Sequence, residues 1–248
     1  MSKIRVAAVN YLNTKPFLYG IKRHDVLHDI DLVEAYPAQV AKMILKDETD
    51  VALLPVAVLP EMKEYHLVTD SCIGCDGPVA SVGIFSELPI EDIERIYLDY
   101  QSRTSVMLAR ILLRDYWKKD VELMDAKGEE FRDKIAGNTA GVVIGDRALE
   151  QRLKSKYVYD LGEIWKEHTG LPFVFAAWVS NKQLPQDFVK KFTEANNYGL
   201  QHIEEVIREN PVDYYDLEEY YKKNISYKLD EEKLAGLQWF LKLVESLT

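Results

Sequence analysis

Residues 8–17, AVNYLNTKPF, are the stretch that decides the fold. An apolar strand is predicted to end at Val9 and to run directly into a polar turn. In that turn Asn13 or Thr14 is placed to cap a helix, and Pro16 fits the first turn of that helix. A strand end that brings polar side chains to a helix N-terminus is where open α/β folds bind small anions. We therefore predict an anion-binding turn at this point of the chain.

A second turn of the same kind is predicted at residues 98–106, LDYQSRTSV. Ser102, Thr104 and Ser105 offer hydroxyls where a helix N-terminus leaves its N–H groups free. Arg103 adds a charged fork suited to a carboxylate. The alternative is a plain helix cap with a surface arginine, since Ser and Thr are common caps. Two such turns predict a ligand with more than one anionic group, held in a cleft.

Strands and helices alternate along the first part of the chain, and the alternation restarts after residues 89–92. The apolar run 173–179 is predicted to be a return crossing. This pattern predicts an α/β fold of two lobes, joined by two crossings, with a ligand cleft between the lobes. We assign residues 1–88 and 178–248 to lobe 1, and residues 89–177 to lobe 2.

The composition narrows the classes of partner. The net charge is −10 over 248 residues, so nucleic acid and anionic membranes are not expected partners, because phosphate binding needs a basic face. No apolar run approaches the roughly 18–20 residues that cross a bilayer. The N-terminal residues lack an extended apolar region and enter a predicted strand by residue 4, which predicts a cytoplasmic protein.

The two cysteines form a CxxC motif at residues 72–75. Structural zinc needs about four ligands, and the sequence has no second cysteine pair or nearby histidine pair. Asp76-Gly77-Pro78 follows the motif as a turn, whereas a thioredoxin-like motif opens a helix. We predict structural thiols in a loop and no metal site.

Three further positions are candidates for the cleft. Ser81 lies in a predicted strand close to a crossing, where a hydroxyl more commonly bonds neighbouring backbone. Gly145 and Asp146 end the strand GVVIGD, so the carboxylate either faces the crevice or caps the next helix. His168, in the sequence EHTG, is the histidine next to a predicted cleft loop; a lone histidine is more commonly a packing or surface residue.

Several motifs occur in order along the chain: YLNTKP (11–16), DVALLPV (50–56), SVGIFS (81–86), LDYQSRTSV (98–106), IGD (144–146), YDLGEIWKEHTGLPFVFAAW (159–178) and ISYKLDEEKLAGLQWF (225–240). Together they resemble the chorismate dehydratase family of the futalosine route to menaquinone, over essentially the whole chain. The resemblance implies a fold similar to type II periplasmic binding proteins, carrying a cytoplasmic enzyme.

The resemblance also implies a reaction. Water is removed from chorismate to give 3-[(1-carboxyvinyl)oxy]benzoate, by a stepwise, carbanion-like elimination in a closed cleft and without a cofactor. Asn13 and Ser81 are the implied catalytic residues, with the Asn13 amide bonding the leaving hydroxyl or an enolate oxygen. Ser102, Thr104 and Ser105 would bind a carboxylate, and we count Thr14, Arg103, Gly145, Asp146 and His168 as further substrate-binding candidates.

The general base stays open among His168, Asp146 and the enolpyruvyl carboxylate of the substrate itself. We favour the substrate carboxylate, because no residue in the motifs is an obvious strong base. Chorismate is the expected small-molecule partner, and a homodimer is left open.

Three alternatives compete with this interpretation. The first is a binding protein for an aromatic or carboxylate ligand, since fold alone does not decide function. The second is the dihydroxynaphthoate synthase of the same pathway, against which the YLN motif argues. The third is the effector domain of a transcription regulator, which the acidic charge and the missing helix-turn-helix disfavour.

Overall fold

The computed structural model describes residues 3–247, and its backbone is organised around two β-sheets. The strands are β1 (Ile4–Val9), β2 (Ile30–Ala35), β3 (Val51–Pro55), β4 (His66–Cys75), β5 (Val82–Ser86), β6 (Arg95–Leu98), β7 (Glu122–Asp125), β8 (Thr139–Ile144), β9 (Tyr157–Asp160), β10 (Phe173–Ser180) and β11 (Ser226–Lys228).

Helices flank both sheets. Thr14 lies at the N-cap position of the first helix, as predicted, but among the described residues no side-chain hydrogen bond caps that helix. Pro16 lies in the first turn of the first helix, and the carboxylates of Asp160 and Asp230 accept hydrogen bonds from backbone N–H groups at two later helix starts. The helices are α1 (Lys15–Arg23), α2 (Pro37–Leu45), α3 (Thr104–Asp115), α4 (Asp146–Gln151), α5 (Leu161–Thr169), α6 (Gln186–Gln201), α7 (Ile203–Glu209), α8 (Leu217–Glu219) and α9 (Glu231–Glu245). Shorter 3₁₀ stretches are Leu12–Thr14, Asp25–Asp29, Val56–Glu61, Ile90–Asp92 and Glu129–Lys134, and Tyr220–Asn224 forms a π-helical turn.

The first sheet has six strands in the order β11-β4-β10-β3-β1-β2. Strand β1 pairs in parallel with both β2 and β3, whereas β10 pairs antiparallel with β3 and β4. Every residue of β3 and of β10 is buried. Near-continuous apolar strands of this kind are expected at the centre of a sheet covered on both faces.

The second sheet has five strands in the order β7-β6-β8-β5-β9. The predicted two-lobed α/β architecture is therefore confirmed, with one sheet in each lobe. The chain passes from the first sheet to the second between β4 and β5, and returns between α5 and β10. Strand β5 pairs with β8 and β9 and so belongs to the second sheet, whereas β10 pairs with β3 and β4 and so belongs to the first. Both crossings therefore come earlier in the chain than predicted. The predicted boundaries after residues 88 and 177 lie beyond β5 and inside β10, and are corrected to residues 76–81 and 170–172.

Two local predictions also differ from the structure. The CxxC motif lies at the end of strand β4 and not in a loop; Cys72 and Cys75 are free and fully buried, and burial raises the pKa of each thiol. The thiols therefore stay protonated and pack as small apolar groups. The spacing of apolar residues over 187–208 predicts one helix from the sequence, whereas in the structure the helix breaks at His202 between α6 and α7.

Helices α1 and α6 cross at backbone contact distance through two glycines. A Cβ atom on Gly20 would stand 1.8 Å from the Ala195 carbonyl oxygen, and one on Gly199 would stand 1.7 Å from the Pro16 carbonyl oxygen. Neither position has room for a side chain. The crossing therefore fixes helix α1, which begins immediately after the turn that carries Asn13.

Among residues 3–247, no helix has the length and apolar character needed to cross a membrane. The same described part of the chain contains no group of three or more His, Cys, Asp or Glu side chains placed to hold a metal ion.

Candidate active site

A cleft lies between the two sheets, at the carboxyl end of β1 and the N-terminus of α3. Its empty volume is about 530 Å³, counted to its open mouth. Most of its wall is apolar, which suits a carbocyclic ligand. The apolar lining residues are Val9, Pro37, Leu53, Pro55, Ile73, Val79, Val82, Ile144, Phe175 and Ala176.

The polar lining comes from three separate parts of the chain: the turn after β1, the residues before β5 and the start of α3. All predicted site residues except Asp146 and His168 line the cleft. The two that are farthest apart in the sequence, Asn13 and Gly145, are separated by 132 positions. The chemical roles of the lining residues remain predictions. The residues brought together are Asn13, Thr14, Ser81, Ser102, Arg103, Thr104, Ser105 and Gly145.

Asn13 lies in the 3₁₀ turn between β1 and α1, and its contacts orient the side-chain amide. The Thr14 hydroxyl donates to Asn13 Oδ1 at 3.1 Å, and the Tyr227 hydroxyl donates to the Asn13 main-chain oxygen at 2.9 Å. The Asn13 amide nitrogen makes no hydrogen bond within residues 3–247. It is therefore left as a donor to a ligand oxygen in the cleft.

Ser81 follows a strained backbone position just before β5. Ala80 has a positive φ of 62°, which non-glycine residues adopt only when their surroundings hold them there. The Asp160 carboxylate accepts hydrogen bonds from the Val79 and Ala80 N–H groups at 3.0 and 2.7 Å. Among the residues described, the Ser81 hydroxyl donates only a long contact, 3.5 Å, to the Val79 carbonyl oxygen. This weak pairing leaves the hydroxyl available to a ligand.

The two hydroxyls of Ser102 and Thr104 at the start of α3 differ in whether they are available to a ligand. Ser102 acts as the cap, since its Oγ accepts from the Ser105 N–H at 3.1 Å, and its own hydrogen has no acceptor among the residues that the structure describes. Thr104 differs from the prediction: its hydroxyl donates to the Phe175 carbonyl oxygen at 3.0 Å and accepts from the Ala57 N–H at 3.2 Å. That hydroxyl is already used, so Thr104 serves as a structural link and not as a carboxylate ligand through its side chain.

Arg103 is the cation of the cleft, at its rim. It pairs with Glu61 at 2.6 Å, and each of the two side chains is 45% exposed. The partners belong to different lobes, so this ion pair bridges the mouth. Solvent screens such a pair strongly, which leaves the guanidinium free to exchange Glu61 for a ligand carboxylate.

Gly145 lies in the cleft wall, and the Tyr11 ring beside it leaves no space for a side chain at this position. Its φ is +65°, and a Cβ atom would lie 2.8 Å from the Tyr11 ring. Tyr11 in turn reaches across the cleft, where its hydroxyl donates to the Gln101 side-chain oxygen. The main-chain oxygen of Gln101 also accepts from the Ala38 N–H at 3.1 Å. These contacts hold the two lobes together over the cleft.

Asp146 lies beside the cleft with its carboxylate turned to the backbone. Its Oδ1 accepts from the Leu12 N–H at 2.9 Å, which again ties the lobes together. Burial raises the pKa of Asp146 to about 6, although the hydrogen bond from Leu12 and the charge of Lys15 act in the opposite direction. Asp146 does not cap the next helix either, since α4 begins at Asp146 itself, its N-cap is Gly145 and no side chain among the described residues forms a cap there; the carboxylate instead binds the Leu12 N–H of the other lobe.

His168 is not in the cleft. It is an exposed residue in the last turn of α5, where its ring packs edge-on against Tyr116, with centroids 5.9 Å apart. The sequence signals for α5 were present: Asp160 caps its start and Gly170 ends it in the left-handed conformation. The sequence analysis placed His168 next to a cleft loop, but the residue lies in helix α5, which holds it outside the cleft.

The lining has few ionisable groups. Within residues 3–247 it contains no carboxylate, imidazole or amine; only Arg103 and Tyr11 ionise. Burial raises the pKa of Tyr11, so its phenol stays protonated. Residues missed by sequence reasoning include Tyr11 and Gln101, which lie inside the two quoted motifs, and Tyr227, whose aromatic segment gave no signal for the cleft.

Comparison with solved structures defines the class of protein. The structure is similar to a crystal structure of a protein from Archaeoglobus fulgidus, with a TM-score of 0.79, 15% identity, and coverage of 99% of this chain and 97% of that one. It is also similar to the alkanesulfonate-binding protein of Xanthomonas axonopodis, with a TM-score of 0.68, 12% identity, and coverage of 99% and 93%. The fold is that of periplasmic binding proteins, two α/β lobes around a ligand cleft.

Sequence comparison then gives the family. The menaquinone biosynthesis family model matches residues 4–246, and the chain belongs to that family. Among curated relatives, the chorismate dehydratase of Thermus thermophilus is 26% identical over 254 residues, covering 93% of this chain and 91% of the relative.

Proposed function

We propose that this protein is a chorismate dehydratase, a carbon–oxygen hydro-lyase of menaquinone biosynthesis. The observation that carries the proposal is the cleft itself: an apolar chamber with amide and hydroxyl donors and no side-chain base in its described lining. Membership of the menaquinone biosynthesis family and similarity to the Thermus thermophilus enzyme support it.

The cleft offers donors suited to each polar part of chorismate, which is a dianion. The free N–H groups and hydroxyls at the start of α3, with Arg103 at the rim, would bind a carboxylate. The Asn13 amide nitrogen and the Ser81 hydroxyl, on the other side of the cleft, would contact the ring where bonds change. The apolar residues between them would hold the carbocycle and exclude water.

The elimination requires charge stabilisation more than redox chemistry. Removal of the proton from C3 leaves an electron pair that spreads through the neighbouring double bond into the ring carboxylate. That pair then forms the new C3–C4 π bond, while the C4–O bond breaks and the hydroxyl leaves as water, taking the proton that the base removed from C3. Donors fixed where negative charge develops lower this barrier, and we assign that role to Asn13 and Ser81.

The base is best supplied by the substrate's own enolpyruvyl carboxylate. The described lining has no carboxylate, imidazole or amine, His168 lies outside the cleft, and the Asp146 carboxylate is occupied by the Leu12 N–H. The enolpyruvyl group is attached at C3, so its carboxylate is already held near the proton to be removed. An intramolecular base of this kind gains a high effective molarity.

The experiment is to incubate purified, metal-free protein with chorismate and to follow the products by ultraviolet absorbance and mass spectrometry. We expect a product lighter than chorismate by one water, with an aromatic spectrum, and a much lower rate for Asn13→Ala. Asn10→Ala is the matched control, because Asn10 follows β1 just before the same turn but is exposed, and among the described residues its side chain accepts a hydrogen bond only from Lys15 Nζ, at 2.7 Å. Unchanged chorismate with folded protein would contradict the proposal and favour a role in ligand binding.

We also propose that the enzyme works in the cytoplasm. The two thiols of Cys72 and Cys75 are free, as is usual in a reducing compartment. A homodimer stays a prediction, which size-exclusion chromatography with light scattering would test.

A further inference from the structure

The segment DYYDLEEYYKKNISYK at residues 213–228 is acidic and rich in tyrosine, and no role described so far explains it. By composition it is typical of a solvated helical face. In the structure, however, Tyr220 is fully buried and Tyr221 is 3% exposed. Both lie in the π-helical turn Tyr220–Asn224, a rare conformation that is frequent at functional sites. These two tyrosines therefore pack inward, while the charged residues of the segment stay exposed.

Tyr227 contacts the residue with the clearest candidate role. Its hydroxyl donates to the main-chain oxygen of Asn13 at 2.9 Å, and its ring packs edge-on against Phe17 with centroids 5.3 Å apart. Phe17 belongs to α1, so the ring is fixed against the helix that follows the Asn13 turn. Burial raises the pKa of Tyr227 well above its usual value, so the phenol remains a donor at any working pH.

Tyr220 stands in a similar relation to Ser81. Its hydroxyl is buried and makes no hydrogen bond with any residue in the range 3–247, and a buried unpaired hydroxyl is costly. Burial raises the pKa of Tyr220, and the Ser81 hydroxyl beside it partly offsets that rise. Donation from the Tyr220 hydroxyl to Ser81 Oγ would give this buried hydroxyl a partner, and the Ser81 hydrogen, which makes only a long contact with the Val79 carbonyl oxygen among the described residues, would stay available as a donor.

We propose that Tyr227 and Tyr220 are positioning residues that hold Asn13 and Ser81, respectively, in the geometry the elimination needs. Tyr227 fixes the Asn13 peptide, so that the amide nitrogen points into the cleft. Tyr220 donates to Ser81 Oγ, so that the Ser81 hydrogen is directed to the substrate. The inference rests on the proposed function, because it assumes that Asn13 and Ser81 act on the reacting atoms.

The test uses Tyr227→Phe and Tyr220→Phe, each of which removes one hydroxyl and keeps the ring. Tyr215→Phe is the matched control, since its hydroxyl donates to Asn224 Oδ1 at 3.1 Å within the same segment. We expect each of the first two variants to lower kcat about tenfold, the effect of losing one well-placed hydrogen bond. KM is expected to change less than about twofold, and the control is expected to keep the kcat of the unmodified enzyme.

Double-mutant cycles separate positioning from a general loss of structure. Tyr227→Phe should have almost no effect on an Asn13→Ala background, measured with enzyme in excess of chorismate, but should keep its full effect on a Ser81→Ala background. Tyr220→Phe should show the reverse pattern. Loss of packing alone would lower the rate equally on both backgrounds.

Two results would overturn the inference: full kcat in both phenylalanine variants, or equal losses on both alanine backgrounds. These results are distinct from failure of the proposed function. If the proposed function were wrong, Asn13→Ala and Ser81→Ala would keep the rate of the unmodified enzyme, or the unmodified protein would leave chorismate unchanged.

Discussion

The Thr104 hydroxyl donates to the Phe175 carbonyl oxygen at 3.0 Å and joins the start of α3 to strand β10 of the other lobe. The Thr104 hydroxyl oxygen also accepts from the Ala57 N–H at 3.2 Å, so one buried hydroxyl pairs two backbone groups of the first lobe. This bridge lies in the wall of the cleft. It ties the position of the donors at the start of α3 to the first lobe.

Thr104→Val is expected to lower the free energy of unfolding by about 2–3 kcal/mol, because the Ala57 N–H and the Phe175 carbonyl would be left buried and unpaired. Urea denaturation followed by circular dichroism measures this loss. Thr104→Ser keeps the hydroxyl and is expected to retain most of the stability. A Thr104→Val protein as stable as Thr104→Ser would show that the bridge contributes little.

Asp146→Asn is expected to keep kcat within about threefold, since an amide oxygen can still accept from the Leu12 N–H. His168→Ala, on exposed helix α5, is expected to keep kcat as well. Steady-state kinetics with chorismate tests both. If each variant lost as much rate as Asn13→Ala while still binding chorismate, the substrate carboxylate would no longer be the favoured base.

The raised pKa of Asp146 also predicts a pH dependence of stability. Burial raises this pKa from 3.8 to about 6, so the folded protein keeps a proton that the unfolded chain releases. The contribution of this group to stability is therefore fully present below pH 3.8 and is lost as the pH rises through about 6. The stability of the unmodified protein relative to Asp146→Asn should fall by about 1–3 kcal/mol over that range. Parallel denaturation curves from pH 4 to pH 7 measure the difference, and a constant difference would contradict the assignment.

Arg103→Gln is expected to raise KM for chorismate about tenfold, with kcat nearly unchanged, since a rim cation contributes to substrate binding more than to the transition state. Its stability should change by less than about 1 kcal/mol, because the pair with Glu61 is exposed. Glu61→Gln is the control: it frees Arg103 and should leave KM unchanged or lower. An equal rise of KM in both variants would indicate that the ion pair, and not the free guanidinium, matters.

Gly145→Ala is expected to lower kcat/KM at least tenfold, because the added methyl group would collide with the Tyr11 ring. Gly137→Ala is a matched control, since Gly137 has a similar positive φ of 55° and no atom within 4 Å of its would-be Cβ. Both substitutions should destabilise the protein by about 1 kcal/mol or more through the backbone. Only the first should affect turnover, and equal kinetic losses in both would argue against the collision.

The part of the cleft lining that the sequence predicts depends on local signals. Asn13, Ser102 and Gly145 lie where strands end and helices begin, and such points are marked by short polar motifs and by proline or glycine. The fold follows from the same alternation of strands and helices. The family resemblance added Ser81, which has no distinctive local pattern of its own.

The rest depends on contacts between distant positions. Thr104 links the two lobes through hydrogen bonds to Ala57 and Phe175, which lie 47 and 71 residues away. Tyr227 bonds the main-chain oxygen of Asn13, 214 residues away. Strand β4 was missed because Asp70, Ser71 and Gly74 resemble a turn locally, whereas pairing with β10 and β11 makes them a strand. No local pattern encodes such pairings.

The crossing of α1 and α6 at Gly20 and Gly199 gives positions far from the cleft an influence on catalysis. The two helices touch backbone to backbone, so a methyl group at either glycine would push α1 aside. Because α1 starts right after Asn13, the displacement would move the turn that carries the amide. The effect of a substitution on activity should therefore depend more on whether the residue packs against α1 and its turn than on its distance from the substrate. Gly199 should be as intolerant of change as the residues that line the cleft.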